Sequence, residues 1–184
     1  AMRQLNRKLP AEDLSRYGRF VVSAGRLIPE KGFDLLMMAF AKIYKQDKSL
    51  KLIILGEGKD RQALENLIKD LHLEGVIFLP GFAQDVYAYF KAAALAVVSS
   101  RVEGFPNVLL QMMSQNHKVV ATACAGGIDE IEGLFIARPK SIASLQEAMQ
   151  NALNTSTGHN RIIFDNYLSV RSIDKFVAGV DHCL

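Results

Sequence analysis

Two cations stand five residues apart in Gly25-Arg26-Leu27-Ile28-Pro29-Glu30-Lys31-Gly32. A guanidinium offers a planar fork of donors and an ammonium a compact charge, so Arg26 and Lys31 suit a diphosphate held between them. The same stretch also reads as a surface loop with solvated charges. The flanking glycines Gly25 and Gly32, which permit unusual backbone angles, favour the first reading slightly. A second candidate is Ser99-Ser100-Arg101-Val102-Glu103-Gly104-Phe105-Pro106-Asn107-Val108. Glu103 supplies a carboxylate, and Pro106 suits the first position of a helix. Backbone N–H groups around Phe105–Val108 would then present a helix N-terminus, where anions bind. Gln111 lies on the first turns of that helix, within reach of a ribose. The plainer alternative is a helix-starting loop with an exposed glutamate. Gly56-Glu57-Gly58-Lys59-Asp60-Arg61 begins like a dinucleotide fingerprint, but Arg61 occupies the third glycine position. It also follows the second strand rather than the first, so an NAD or FAD site is disfavoured and a tight turn beside a ligand is expected. Cys124 and Cys183 have neither metal-ligand spacing nor the numbers of a disulfide framework. His72, His117, His159 and His182 sit in polar, turn or terminal contexts and read as surface residues.

These loops need strands and helices to hold them. Short apolar runs predict strands at 19–24, 50–55, 76–79, 94–98, 118–122 and 134–137. Helical spacing predicts helices at 33–46, 59–71, 85–92, 106–115, 142–154 and from 161 onward. Pro80-Gly81 is expected to stop the third strand. The strands are near-continuous apolar runs, which implies cover on both faces. The expectation is an α/β fold: a Rossmann-like, doubly wound parallel sheet of about six strands with helices on both faces. Ligands in such sheets bind at the carboxyl ends of the strands, where the candidate loops fall.

The length suits one domain: residues 1–18 read as a linker or N-terminal extension, and residues 19–184 as the domain. The formal net charge is +3, and residues 1–19 carry all of it through Arg3, Arg7, Lys8, Arg16 and Arg19 against Glu12 and Asp13. The neutral remainder argues against a nucleic-acid partner. The basic segment reads as a solvated linker, or more sharply as a contact with anionic lipid or a partner domain. No apolar run approaches a membrane span, and the N-terminal residues contain no apolar signal core. A cytoplasmic setting is expected, with peripheral contact at the inner face of the membrane as an addition.

The ordered segments GRLIPEKGFDLLMMAF, LIILGEG, VIFLPGF, SSRVEGFPNVLLQMM and VVATACAGGIDEI resemble the C-terminal, donor-binding domain of GT-B glycosyltransferases. The nearest likeness is to the large retaining family four, also called glycosyl transferases group 1. The resemblance implies a transferase fragment that binds a nucleotide-sugar, UDP-linked on family frequency, and uses no other cofactor and no metal. It implies catalytic or diphosphate-holding roles for Arg26 and Lys31, with Gly25 and Gly58 lining the loops beside them. Glu103 would hydrogen-bond hydroxyls of the donor sugar. The backbone at Gly104, Phe105, Pro106, Asn107 and Val108 would contact sugar and phosphate, position 111 the ribose, and Gly81-Phe82 the base. A glycan or lipid-linked acceptor would be bound by an N-terminal domain absent from this chain, as in lipopolysaccharide or capsule synthesis.

The chain departs from the family pattern in three places. Gln111 replaces the usual glutamate. Met112, Asn116 and Lys118 replace a small-residue, glycine and proline pattern, with Asn116 expected to take a left-handed cap. The stretch after Glu130 is shortened, Glu132-Gly133 running straight into Leu134. These departures keep two other readings open: a non-catalytic nucleotide-sugar-binding module, and a sugar-nucleotide epimerase of the same fold.

Overall fold

The computed structural model describes residues 13–170. The residues on either side, with Arg3, Arg7, Lys8, Glu12, His182, Cys183 and the end of the last expected helix, lie outside the described residues. Six strands alternate with helices in the order β1 (Phe20–Ala24), α1 (Phe33–Tyr44), β2 (Lys51–Leu55), α2 (Arg61–Asp70), β3 (Ile77–Gly81) and α3 (Val86–Ala92). There follow β4 (Leu95–Val98), α4 (Asn107–Gln115), β5 (Val119–Thr122), β6 (Phe135–Ala137), α5 (Ile142–Asn154) and α6 (Asn160–Val170). All neighbouring strands are parallel, in the order β3-β2-β1-β4-β5-β6. The chain reverses its direction of travel across the sheet between β1 and β4. There the loops after both strands stand side by side at the carboxyl edge of the sheet, the place where ligands bind in folds of this kind.

Burial explains the unbroken apolar runs. Val21, Leu52, Ile54, Leu95, Val97 and Val120 point into one core with α1, α2 and α5. Phe20, Val22, Ile53, Leu55, Ala96, Val98, Val119 and Ala121 point into a second core, which α3, α4 and α6 cover. Alternate residues of each strand thus face different cores, and neither set meets water. Tyr17 is buried at 4% exposure and packs edge-on against Phe20 and Phe78, so packing extends N-terminal of β1.

Three local expectations are corrected. Pro80-Gly81 does not stop the third strand: β3 runs through both. Its register against β2 shifts, Ile53 pairing with Phe78 and Leu55 with Gly81, so β3 carries one extra residue there. A bulge on an edge strand tolerates a proline, because the missing N–H breaks no ladder that the sheet needs. Pro106 is not the first helical residue but the cap residue before it, in extended conformation, and the helix starts at Asn107. Asn116 ends α4 in extended, not left-handed, backbone (φ −126°, ψ 143°).

The reason lies in its side chain. Asn116 Nδ2 donates to the carbonyls of Phe90 and Ala93, both at 2.8 Å, and Oδ1 accepts from the Lys118 N–H at 2.8 Å. The buried amide thus ties the end of α3 to the start of β5. Asn116→Ala leaves two carbonyls and one N–H without these partners. It is expected to cost about 2–4 kcal/mol, read as a lower urea midpoint with unchanged slope.

Candidate functional site

The carboxyl edge of the sheet is a set of loops stitched to one another. Gly25 donates its N–H to Leu55, Leu27 to Glu57, and Gly56 to Gly81, so the loops after β1, β2 and β3 continue the strand order beyond the sheet. Gly58 permits a close approach: a Cβ there would lie 2.3 Å from the Leu27 carbonyl. What presses against Gly58 is therefore the first loop's backbone. Arg61, at the would-be third glycine, donates to both oxygens of Glu57, to Glu65 and to the Leu79 carbonyl. That is the work of a brace at the start of α2, and it explains why the fingerprint is incomplete.

Across the switch point the first loop is bound to the loop after β4. Ser99 Oγ donates to the Lys31 carbonyl at 2.9 Å, and the Arg101 N–H donates to the Glu30 carbonyl at 2.7 Å. The Arg101 guanidinium grips both oxygens of Asp34, at 2.8 and 2.6 Å, and reaches the Pro29 carbonyl at 2.6 Å. Behind them, Thr122 Oγ1 donates to the Ser100 carbonyl at 2.6 Å, and the Glu103 N–H to the Cys124 carbonyl at 3.2 Å.

This frame brings Lys31 and Glu103 together. Lys31 Nζ donates to Glu103 Oε1 at 2.8 Å, the side chains being 18% and 15% exposed. Ser100 Oγ donates to the same oxygen. Among the described residues, Glu103 Oε2 and the exposed Arg26 guanidinium have no hydrogen-bond or ion-pair partner. The N-terminus of α4 has no side-chain cap, whereas Asp85 caps α3 and Ser141 caps α5. Its first N–H groups, from Asn107 and Val108, are thus left for solvent or a ligand. Gly104 and Phe105 are exposed, Pro106 is buried, and Gln111 is half-buried with no partner for its amide among the described residues.

Not every candidate lies at this pair. Gly81 ends β3, two strand spacings or about 10 Å from the end of β1, and Phe82, which follows it, is 81% exposed. Phe105 instead borders a groove of about 340 Å³ with Gly126, Gly127, Glu130, Ile131 and Tyr167. Burial pushes the Cys124 thiol up from 9.0, with the Glu103 charge adding to it, so this cysteine is no thiolate nucleophile at neutral pH. His72, His117 and His159 are exposed. Among the described residues no group of three or more His, Cys, Asp or Glu is placed to hold a metal ion.

The glycosyl transferases group 1 family matches residues 8–167 of the chain. The chain belongs to this family. It is 38% identical over 122 residues to a Campylobacter jejuni enzyme named N-acetylgalactosamine-N,N'-diacetylbacillosaminyl-diphospho-undecaprenol 4-alpha-N-acetylgalactosaminyltransferase, covering 66% of this chain and 33% of that protein. It is 33% identical over 106 residues to a lipopolysaccharide core biosynthesis glycosyltransferase of Rhizobium meliloti, covering 58% and 30%. The chain thus spans about a third of the length of these curated relatives. The fold superposes on S. aureus TarM, solved with fondaparinux, α-GlcNAc-glycerol and UDP, with TM-score 0.77 and 21% identity over 88% of this chain and 35% of that one. It also matches the C-terminal domain of a glycosyl transferase group 1 protein from Francisella tularensis, with TM-score 0.72 and 21% identity over 80% and 85%. The sheet order and helix layers are those of one Rossmann-like half of a GT-B fold.

Ser99, Ser100, Arg101 and Asp34 were not singled out by sequence reasoning, although the first three lie inside the quoted motif. Their partners are distant in sequence, and nothing local marks them. Arg101 yields a testable consequence. Burial alone would raise Asp34, but the hydrogen bond and charge of Arg101 outweigh it and hold the carboxyl below its ordinary 3.8. A depressed carboxyl contributes stability that is fully present above the ordinary value and is lost as the pH falls through the lowered one. Arg101→Ala is expected to cost about 1 kcal/mol near neutral pH, at the upper end for a partly exposed pair. The gap to the parent should narrow below pH 3.8. Urea midpoints of both proteins across this range check it; a gap independent of pH would rule the ion pair out as its source.

Proposed function

We propose that this chain is the donor-binding domain of a retaining glycosyltransferase, taking a nucleoside-diphosphate sugar in the crevice between the loops after β1 and β4. The observation that carries this reading is the Lys31–Glu103 pair at the topological switch point, shortly before the uncapped start of α4, with the exposed Arg26 guanidinium, unpartnered among the described residues, on the same loop as Lys31. Cations and helix N–H groups suit the diphosphate, and a carboxylate suits sugar hydroxyls. In this reading Gly25 and Gly58 shape the loops, and Gly104, Phe105, Asn107 and Val108 meet sugar and phosphate by their backbone. Gln111 takes the ribose and the Gly81-Phe82 corner takes the base.

The chemistry follows from where charge develops. Breaking the anomeric C–O bond sends its electron pair to the diphosphate. Arg26, Lys31 and the α4 N-terminus stabilise that charge as it grows. The acceptor oxygen bonds to the anomeric carbon from the face the diphosphate leaves, passing its proton to the departing phosphate oxygen, so configuration is retained. Glu103 orients the sugar and needs no proton of its own. The acceptor, a glycan or a lipid-linked saccharide in cell-envelope synthesis, would be bound by an N-terminal domain, with peripheral membrane contact at that stage. The names of the Campylobacter and Rhizobium relatives favour this class of acceptor. Among the described residues no helix is long and apolar enough to cross a membrane.

Titration of this chain with UDP, GDP and ADP tests the reading: one of them should bind with micromolar to millimolar affinity, and no heat with any would sink it. Gln111 supports a second reading, a binding module without transfer. An amide loses the charge-assisted grip of a carboxylate on two ribose hydroxyls. Gln111→Glu is therefore expected to tighten nucleotide binding by about 5- to 30-fold, equivalent to 1–2 kcal/mol. An unchanged affinity would mean that position 111 does not touch the ribose.

A further inference from the structure

We infer that the Lys31–Glu103 ion pair makes this site prefer the intact sugar donor over the spent nucleoside diphosphate, with Glu103 as the discriminating residue. The inference rests on the donor-binding reading above and adds to it a sign that the reading alone does not give. The ammonium of Lys31 already has a partner in the protein: it lies 2.8 Å from Glu103 Oε1. Its stem crosses Gly25, Cδ and Cε lying 3.5 Å from where a Cβ would stand. Ser100, 2% exposed, donates to the same carboxylate oxygen and fixes it. Oε2 is left without a partner among the described residues.

A diphosphate that draws on Lys31 must take it, wholly or in part, from Glu103. A ligand that ends at the phosphate gives nothing back. It leaves a largely enclosed carboxylate short of one partner and sets further negative charge beside it. A ligand that continues into a sugar brings hydroxyl donors to the same carboxylate and replaces the lost partner. Glu103 therefore weakens binding of the product and strengthens binding of the donor. Arg26, exposed and unpartnered among the described residues, has no such conflict and serves both ligands alike.

The test is a double-mutant cycle on this chain with Glu103→Gln, Lys31→Met and the double variant. Each protein is titrated with UDP, GDP and ADP and with UDP-glucose, UDP-N-acetylglucosamine, GDP-mannose and ADP-glucose. Glu103→Gln should bind the nucleoside diphosphate about 5- to 10-fold more tightly than the parent and the matching sugar donor more weakly. The gain on the diphosphate should shrink in the Lys31→Met background, where no cation remains to be contested. Weakening of both ligands, no change in either, or an equal gain in both backgrounds would overturn the inference while leaving donor binding intact. Failure of the parent chain to bind any nucleotide would remove the donor-binding reading itself, and the inference with it. Thermal unfolding checks each variant, and Glu103→Ala replaces the amide if Glu103→Gln does not fold.

Discussion

Gly32→Ala should lose about 2–4 kcal/mol of folding stability and should bind nucleoside diphosphates at least about tenfold more weakly. Gly32 is left-handed (φ 64°, ψ 29°) and caps α1. A Cβ added there would lie 2.3 Å from the Ser99 carbonyl oxygen, far inside contact distance. The left-handed conformation costs an L-residue about 1 kcal/mol by itself. The larger part is the clash, because the obstacle is backbone. Ser99 directly follows β4, and its hydroxyl is bound to the Lys31 carbonyl at 2.9 Å. The loop can relieve the clash only by moving away from the switch point, and Lys31 moves with it. Gly158→Ala is the control: it has open space around the added carbon, and its effect should stay within about 0.5 kcal/mol. Equal urea midpoints for the two variants would show that the close approach does not constrain the loop.

Most of this architecture could be read from residue order because its causes are local. Strands β1, β2, β4 and β5 are near-continuous apolar runs, and the helices between them carry apolar residues at helical spacing. Burial on both faces converts those patterns directly into a parallel sheet with two helix layers. The failures have non-local causes. Pro80 fits within β3 only because β3 is an edge strand with a bulge, and edge position is a property of the whole sheet. Asn116 is extended because its amide finds carbonyls 26 and 23 residues away.

The site divides in the same way. Arg26, Lys31 and Glu103 could be marked as candidates because they follow apolar strands at the carboxyl edge of the sheet, while their roles come from the family resemblance. That Lys31 pairs with Glu103 across 72 residues, or that Arg101 grips Asp34 across 67, depends on β1 and β4 being neighbours. The proposed contacts from Gly81, Phe82 and Gln111 to a ligand rest on the family resemblance, since their surroundings alone assign them no partner.

Arg26→Ala and Lys31→Ala each remove one positive charge from the same loop, yet opposite profiles are expected. Arg26 is exposed and unpartnered among the described residues, so its loss should leave stability within about 0.5 kcal/mol. Every interaction it makes with a diphosphate is new on binding, and its removal should cost about 2–3 kcal/mol of affinity. Lys31 begins from a bonded state. What it gains from the diphosphate is offset by what it gives up at Glu103, so Lys31→Ala should cost only about 1 kcal/mol of affinity. The stability effect is reversed. Without Lys31 the Glu103 carboxylate, 15% exposed, keeps only Ser100 as a side-chain partner. Stranding a largely enclosed charge costs about 1–3 kcal/mol, less than a fully buried one because some solvent reaches it. Paired measurements of urea midpoint and nucleotide affinity on the two variants decide the matter. If Lys31→Ala lowers affinity as much as Arg26→Ala and leaves stability unchanged, the Lys31–Glu103 ion pair has no energetic weight. The two cations would then act as equal, independent phosphate ligands.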